Sequence, residues 1–440
     1  MAVHPFFVHR RRRRPLALQR FVAGGWGSVA PMIRTIEAAS ALALGAALVC
    51  SGAAQAQVTA GVPGLPGGSQ RVSGSVQGTV SYNDNVAGGD AAVAAVRGVT
   101  PQDTIYDLGA NVNLQLPSGR QTLFLTAAGD LQRHARNSVL DANNYNATGG
   151  ALGRFGACSA SAILNYSHLQ TQSQDLTVAV ENNVATQEGV NGSLTCSRGH
   201  LFAGLQAGYV KMTNSATSAG FVGSETGSVS ASAGYQSNSL GRIALSGQYS
   251  KTNYIDQPVL SIGQVDEFEQ YSATLSYSRR LGMRLSGSAS ISLQSLKTPA
   301  TLLASESTFN NLGSNVSFNY RLSSRASIFL GYELSNQASP TVNANYVRVE
   351  ALRLGANYTL NQRISMHVTG SKSQVDYRGG QPVFSQVSHS DDDQISAGLN
   401  MKIGRKISLT LDGTHVDRRA DLSAFSYSSN QVTLGLSEAF

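Results

Sequence analysis

The sequence predicts an all-β chain: a transmembrane, up-and-down antiparallel β-barrel of about 18 strands, with 16 as the alternative. Three observations point there. Short basic turns recur every 34 to 44 residues between Arg120 and Arg405. Segments of alternating apolar and polar residues flank each turn. Tyrosines fall at the ends of these segments rather than in their middles.

Taken in order, the chain begins with a targeting signal. Residues 33–56 read "IRTIEAASALALGAALVCSGAAQA": one arginine, an apolar run, then Ala54-Gln55-Ala56 before Gln57. That is a secretory signal peptide with a small-x-small cleavage site (Ala54, Ala56, Gln57), not a membrane helix. Residues 32–56 are therefore expected to be the signal, with Met32 as the start and residues 1–31 as a dispensable extension. Residues 57–70 form a short Gly/Pro-rich periplasmic lead-in, and residues 71–440 the barrel.

The charge follows the same division. The whole chain carries +7, and the run Arg10–Arg14 resembles a nucleic-acid-binding arm. Residues 1–56, however, hold seven of the 33 basic and one of the 26 acidic residues. The remainder is close to neutral, at +1, which removes the electrostatic case for nucleic acid as a partner. Charged residues make up 13% of the chain, against about 25% in an average domain. Gly, Ser, Asn, Gln and Thr stand in their place. A disordered chain of such composition would not set Val, Leu and Tyr at strict alternation.

The rhythm sets the strand number. Turns "PSGR" (Arg120), "GRFG" (Arg154), "SRGH" (Arg198), "SLGR" (Arg242), "RLGMR" (Arg284), "LSSR" (Arg325), "LNQR" (Arg363) and "IGRK" (Arg405) alternate with longer polar stretches. Examples of the latter are 170–187, 213–226, 252–267 and 378–392. A regular period calls for a repeat architecture. Eight short turns and nine long loops require eighteen strands, with both chain ends on the short-turn, periplasmic side.

Alternation sets the faces. Leu108, Ala110, Val112 and Leu114 lie opposite Asp107, Gly109, Asn111 and Asn113; Leu201 to Tyr209, Ile243 to Tyr249 and Ile407 to Leu411 repeat the pattern. Twelve tyrosines share the apolar parity. Tyr82, Tyr106, Tyr166, Tyr209, Tyr249 and Tyr332 belong to this set, with Tyr145 and Tyr271. So do Tyr235, Tyr277, Tyr320 and Tyr358, beside the short turns. Rings at two levels with aliphatics between them make an aromatic girdle, whereas a soluble sandwich would favour aromatics at mid-strand. The mature chain has no apolar stretch of 18 residues, which excludes membrane helices but not membrane strands.

The last residues, "QVTLGLSEAF", set Val432, Leu434, Leu436 and Phe440 on one face. They resemble the signal read by the outer-membrane barrel assembly machinery, with Glu438 at a position usually apolar. The polar parity is mostly Ser, Thr, Asn, Gln and Gly, with Asp107, Asp130, Arg154, Glu333, Arg353 and Asp412 as expected pore lining. Its near-neutral total predicts weak ion selectivity and passage of small hydrophilic solutes. Phe124, Phe202 and Phe329 are the obvious inward aromatics, too few for a stacked slide for sugars.

Tyr82-Asn83-Asp84-Asn85-Val86, the number of hairpins and the terminal Phe440 together resemble an outer-membrane β-barrel porin family of Gram-negative bacteria. The resemblance implies a non-enzymatic channel without cofactor, placed in the outer membrane among its lipids and lipopolysaccharide. Some similar barrels accompany exopolysaccharide secretion, which makes a structural or export barrel with periplasmic partners the alternative.

The remaining motifs have two readings each. Asp84-Asn85 is a Ca²⁺ rim site or a polar strand exit, and the second is preferred because Ca²⁺ wants about six or more oxygens. "SHSDDD" (Ser388–Asp393) brings Ser, His and Asp together in sequence, but neighbours on one segment seldom converge as a triad. Cys158 and Cys196 flank the loop at 170–187 at equal distances, so a cross-strand disulfide and two lipid-facing thiols are both open. "AAVAAV" (Ala91–Val96) either folds inward or remains an external loop.

Overall fold

A computed structural model describes residues 71–171, 183–215, 223–255, 267–298, 307–338, 346–378 and 387–440. The expected signal peptide, its cleavage site and the lead-in lie outside these residues.

Alternating, charge-poor segments form eighteen strands: β1 (Arg71–Asn83), β2 (Asp103–Ser118), β3 (Gln121–His134), β4 (Ala142–Phe155), β5 (Cys158–Thr171) and β6 (Asn183–Arg198). They continue with β7 (Leu201–Asn214), β8 (Gly223–Ser237), β9 (Gly241–Ile255), β10 (Glu267–Leu281), β11 (Leu285–Thr298) and β12 (Ser307–Arg321). The last six are β13 (Ala326–Ala338), β14 (Tyr346–Thr359), β15 (Ile364–Arg378), β16 (His389–Ile403), β17 (Ile407–Ala420) and β18 (Tyr427–Ala439). Each pairs antiparallel with the next, and β1 also pairs with β18, so the sheet closes on itself. The count is eighteen rather than sixteen. Closure gives every strand two neighbours and leaves no edge to be solvated. Strands about 4.8 Å apart and tilted by about 40° make a ring roughly 35 Å across at the backbone.

All eight basic motifs fall at or beside two- to four-residue connections. Gly119 and Gly199 adopt left-handed φ of 59° and 61° there, which a side chain would resist. The turns at 322–325 and 360–363 lack glycine and use side chains instead. Ser323 Oγ accepts from the amides of Arg325 and Ala326, and Asn361 Oδ1 from those of Arg363 and Ile364.

Register separates the two faces. The aliphatic parity points outward: Leu205 is 60% and Leu293 65% exposed. The polar parity faces a concave interior, where space is short. Three inward phenylalanines stand directly across from a glycine: Phe124 from Gly150, Phe202 from Gly234 and Phe329 from Gly355. A Cβ at any of the three glycines would run into that ring. The same device closes the barrel on the outside. Phe440 and Gly74 exchange backbone hydrogen bonds of 2.9 and 3.2 Å, and the Phe440 ring occupies the space a Gly74 side chain would need.

The segment "AAVAAV" is helical. Helix α1 (Ala91–Arg97) is capped by the Asp90 carboxylate, which accepts from the Val93 amide, and by left-handed Gly98. Ala94 packs with Ala87, Val99 and Leu140. The Asp90 amide donates to Ala424 O, and Thr100 and Asn137 exchange hydrogen bonds. The β1–β2, β3–β4 and β17–β18 loops are thereby tied together.

Candidate functional site: the lumen and its two ends

The candidate site is the inner face, because a closed ring of this width encloses space that side chains alone do not fill. Asp107, Asp130, Arg154, Glu333, Arg353 and Asp412 all lie on the inward parity of their strands. They do not share one height or one degree of access. Asp107 is 1% exposed and Asp130 half-buried, both in the long-loop halves of β2 and β3. Arg154 is exposed beside a short turn and Arg353 at mid-height. Asp412 lies 3.4 Å from His367 Nε2.

The two ends differ in how their charged inward side chains are held. At the long-loop end inward side chains are buried: Ser81, Asn83, Asp103, Ile105, Gln132 and Ser390. Asp103 is held fast there. Its carboxylate accepts from the amides of Arg136 (3.0 Å) and Asn137 (3.1 Å) and from Asn137 Nδ2 (2.8 Å), with His134 Nδ1 at 3.2 Å. Toward the short-turn end the inward side chains of Gln115, Arg154 and Arg242 are exposed, with Thr122 and Phe202 buried between them and their neighbours.

Sequence parity alone also contained inward aromatics beyond the three phenylalanines. Phe268 and Phe309 face inward opposite Thr252 and Leu296, and Tyr254 opposite Ser224. They gather around fully buried Leu296, and Phe309 meets the Tyr346 ring at 5.5 Å. The three obvious inward aromatics are therefore joined by three more. The signal was available, since Phe268 shares parity with Gln270 and Ser272 in "EFEQYS". The added rings pack against one another, so they offer no open stacking surface.

On the outer face Tyr82, Tyr106, Tyr166, Tyr209, Tyr249 and Tyr332 stand toward the long loops; Tyr145 and Tyr271 share that level. Tyr235, Tyr277, Tyr320 and Tyr358 stand toward the short turns, on every second strand from β8 to β14. Tyr249 and Tyr271 both donate to Glu269, and Tyr332 donates to Glu350. Beyond the upper row come ion pairs, among them Lys211–Glu225 at 3.0 Å and Lys251–Glu267 at 2.6 Å. Strands of 13 to 16 residues exceed the roughly 10 needed to cross a bilayer, and this charged belt is their excess.

Cys158 and Cys196 lie directly opposite each other in the β5–β6 register and are joined by a disulfide. Val432, Leu434, Leu436 and Phe440 form an exposed outward row on β18 and at its end, with Glu438 on the same parity. The "SHSDDD" segment enters β16 and splits between faces. Ser390 and Asp392 turn inward, while His389, Asp391 and Asp393 turn outward; His389 pairs with Asp376 at 2.7 Å. Asp84 receives the backbone amide and side-chain amide of Asn430. Among the described residues no group of three or more metal-ligating side chains occurs.

No family model and no curated protein matches this chain. Solved structures do. The outer membrane protein OpdK from Pseudomonas aeruginosa is 12% identical with a TM-score of 0.46, over 84% of this chain and 98% of that one. OpdQ from the same organism is 11% identical with a TM-score of 0.47, over 85% and 99%. The FrpB iron transporter from Neisseria meningitidis is 8% identical with a TM-score of 0.47, over 80% and 62%.

Proposed function

We propose that the barrel is a porin-like channel of a Gram-negative outer membrane, through which small hydrophilic solutes diffuse. The observation that carries this is the division of the closed ring into two faces. Outside, an aliphatic band lies between two rows of tyrosines, as a bilayer with two headgroup levels requires. Inside, Ser, Thr, Asn, Gln and charged side chains line an enclosed space of near-neutral total charge. An 18-stranded ring is too wide for such small side chains to seal. Both chain ends then face the periplasm, lipids and lipopolysaccharide surround the band, and the β18 row with Phe440 addresses the assembly machinery. The reading includes no cofactor and no chemical step.

Reconstitution into planar bilayers tests it. Stable conductance on the order of a nanosiemens is expected of a wide aqueous lumen. A sealed bilayer containing correctly inserted barrel would overturn the reading. A polysaccharide-export barrel with periplasmic partners is the second reading. It is favoured by the burial of inward side chains at the long-loop end, which a passing chain or a partner would have to open.

A further inference from the structure

Inward cations and inward carboxylates are similar in number but differ in place and in access. Asp103, Asp107, Asp130 and Asp392 stand toward the long loops, Asp103 and Asp107 buried and the other two half-buried. Glu333 and Asp412, near mid-height, are half-buried as well. Asp392 lies 3.6 Å from Arg418, as Asp412 does 3.4 Å from His367.

The cations of the short-turn mouth behave otherwise. Arg154, Arg242, Arg280, Arg321 and Lys402 each occupy one of the two strand positions next to a short turn, point inward and are exposed. Among the described residues none of the five has a carboxylate within ion-pairing distance. Each has a serine directly across the register instead: Ser159, Ser278, Ser286, Ser327 and Ser408 respectively. A serine hydroxyl is short and donates a hydrogen bond, so it leaves the cation unneutralised and adds a donor beside it. Arg242, Arg280 and Arg321 lie on β9, β10 and β12, within an arc of roughly 15 Å. Arg242 also rests over the Phe202 ring at 4.2 Å, which fixes its height. Headgroup anchoring does not account for them, because it needs outward cations, and Arg198 and Arg279 supply those on the outer face.

We propose that the short-turn mouth is a binding ring for anionic solutes bearing phosphate or carboxylate groups, and that it makes the pore anion-selective. The proposal rests on the channel reading above and replaces the weak selectivity that the total charge implies. What a passing ion meets most openly is the exposed charge, and among the described inward residues the exposed charged side chains are cations. Like charges around a low-dielectric mouth focus the field and raise the local concentration of counter-ions. The ring is reached first from the short-turn side.

Planar-bilayer recordings across a KCl gradient test this. The full-length barrel is expected to prefer chloride over potassium by up to about tenfold at 0.1 M salt. The preference should fade at 1 M, where the Debye length is about 3 Å. The variant R154Q/R242Q/R280Q/R321Q/K402Q should lose it, and R284Q/R363Q, altered only in the turns, should keep it. A three-site variant, R242Q/R280Q/R321Q, should lose most of it if the five-site variant does not assemble. Citrate and oligogalacturonate, added to one side, separate a small anion from an acidic polysaccharide. Block by either from the short-turn side, absent in the variant, supports the ring. An open pore with no anion preference, or a preference that survives all five substitutions, overturns the ring alone. A sealed bilayer overturns both the ring and the channel.

Discussion

The two ends of the barrel are made from the same strands and differ in what joins them. At the short-turn end, connections of two to four residues leave nothing to fold over the mouth, so the inward cations stay exposed and without a carboxylate partner, although smaller or apolar neighbours such as Thr122 and Phe202 are buried. At the long-loop end, connections such as 84–102 carry their own helix and hydrogen-bond network. There many inward side chains are buried, and several outward charges are paired, among them Lys211–Glu225 and Lys251–Glu267. The placement of the charges along the strands and the length of the connections together decide which charges a solute can meet.

The largest way to break this contrast is to open the ring itself. Gly74→Val places a side chain where the Phe440 ring sits and against Asn111 O. Both it and Phe440→Ala act at the β1–β18 seam, the pairing on which closure depends. We expect heat-modifiable, folded barrel to fall by about tenfold or more for Gly74→Val, since overpacking and seam disruption act together. Phe440→Ala should have a smaller effect. Semi-native gel migration reads both, and wild-type levels of folded Gly74→Val would show that the seam does not limit assembly.

Next in size is the cross-link near the short-turn end. Cys158 and Cys196 are separated by 38 residues, and closing a loop of that order contributes about 2 to 4 kcal/mol through the unfolded chain. Cys158→Ser with Cys196→Ser should lower the denaturant midpoint accordingly. An equal midpoint with and without reductant would show that β5–β6 pairing is already saturated.

How much of this was legible beforehand depended on whether the signal was periodic. Eight basic turns fixed eighteen strands, and the parity that put Asp107 and Arg154 on one face follows from a two-residue period alone. The centred positions of Cys158 and Cys196 around one loop hinted at their register. The contacts of α1 were not legible, because Ala94 and Asp90 find their partners at Leu140 and Ala424, in other loops. Nor was accessibility. Asp107 and Arg154 read alike as inward charges, but one lies buried toward the long loops and the other stands exposed at the short-turn mouth. Composition sums such charges; a solute does not.

At the long-loop end the next prediction removes a single anchor. Asp103 accepts three hydrogen bonds from Arg136 and Asn137 while 1% exposed. Asp103→Ala leaves those donors without a partner, a cost of about 1 to 3 kcal/mol. It should loosen the 84–102 and 135–141 loops and leave the strands intact. Limited proteolysis should then cut 84–102 faster with no change in heat-modifiability. An unchanged cleavage rate would mean that the α1 contacts hold the loop by themselves.

The smallest effect is a pH response confined to one loop. Burial pushes the Asp421 carboxyl up, but hydrogen bonds from the Ser388 hydroxyl and amide outweigh it and hold the group below the usual carboxylate range. A depressed folded value means the stabilisation is complete above the unfolded pKa of about 3.9 and is lost as pH falls through the lower folded value. The link between 421–426 and Ser388 should therefore be firm at neutral pH and weaken only in strong acid. Hydrogen exchange at the Ser388 amide is the local probe. It should gain protection relative to Asp421→Asn above about pH 4 and converge with that variant only in stronger acid, below the lowered folded value. Equal protection across the range would show that the backbone bond from Asp421 N to His389 O is enough to hold the two loops together.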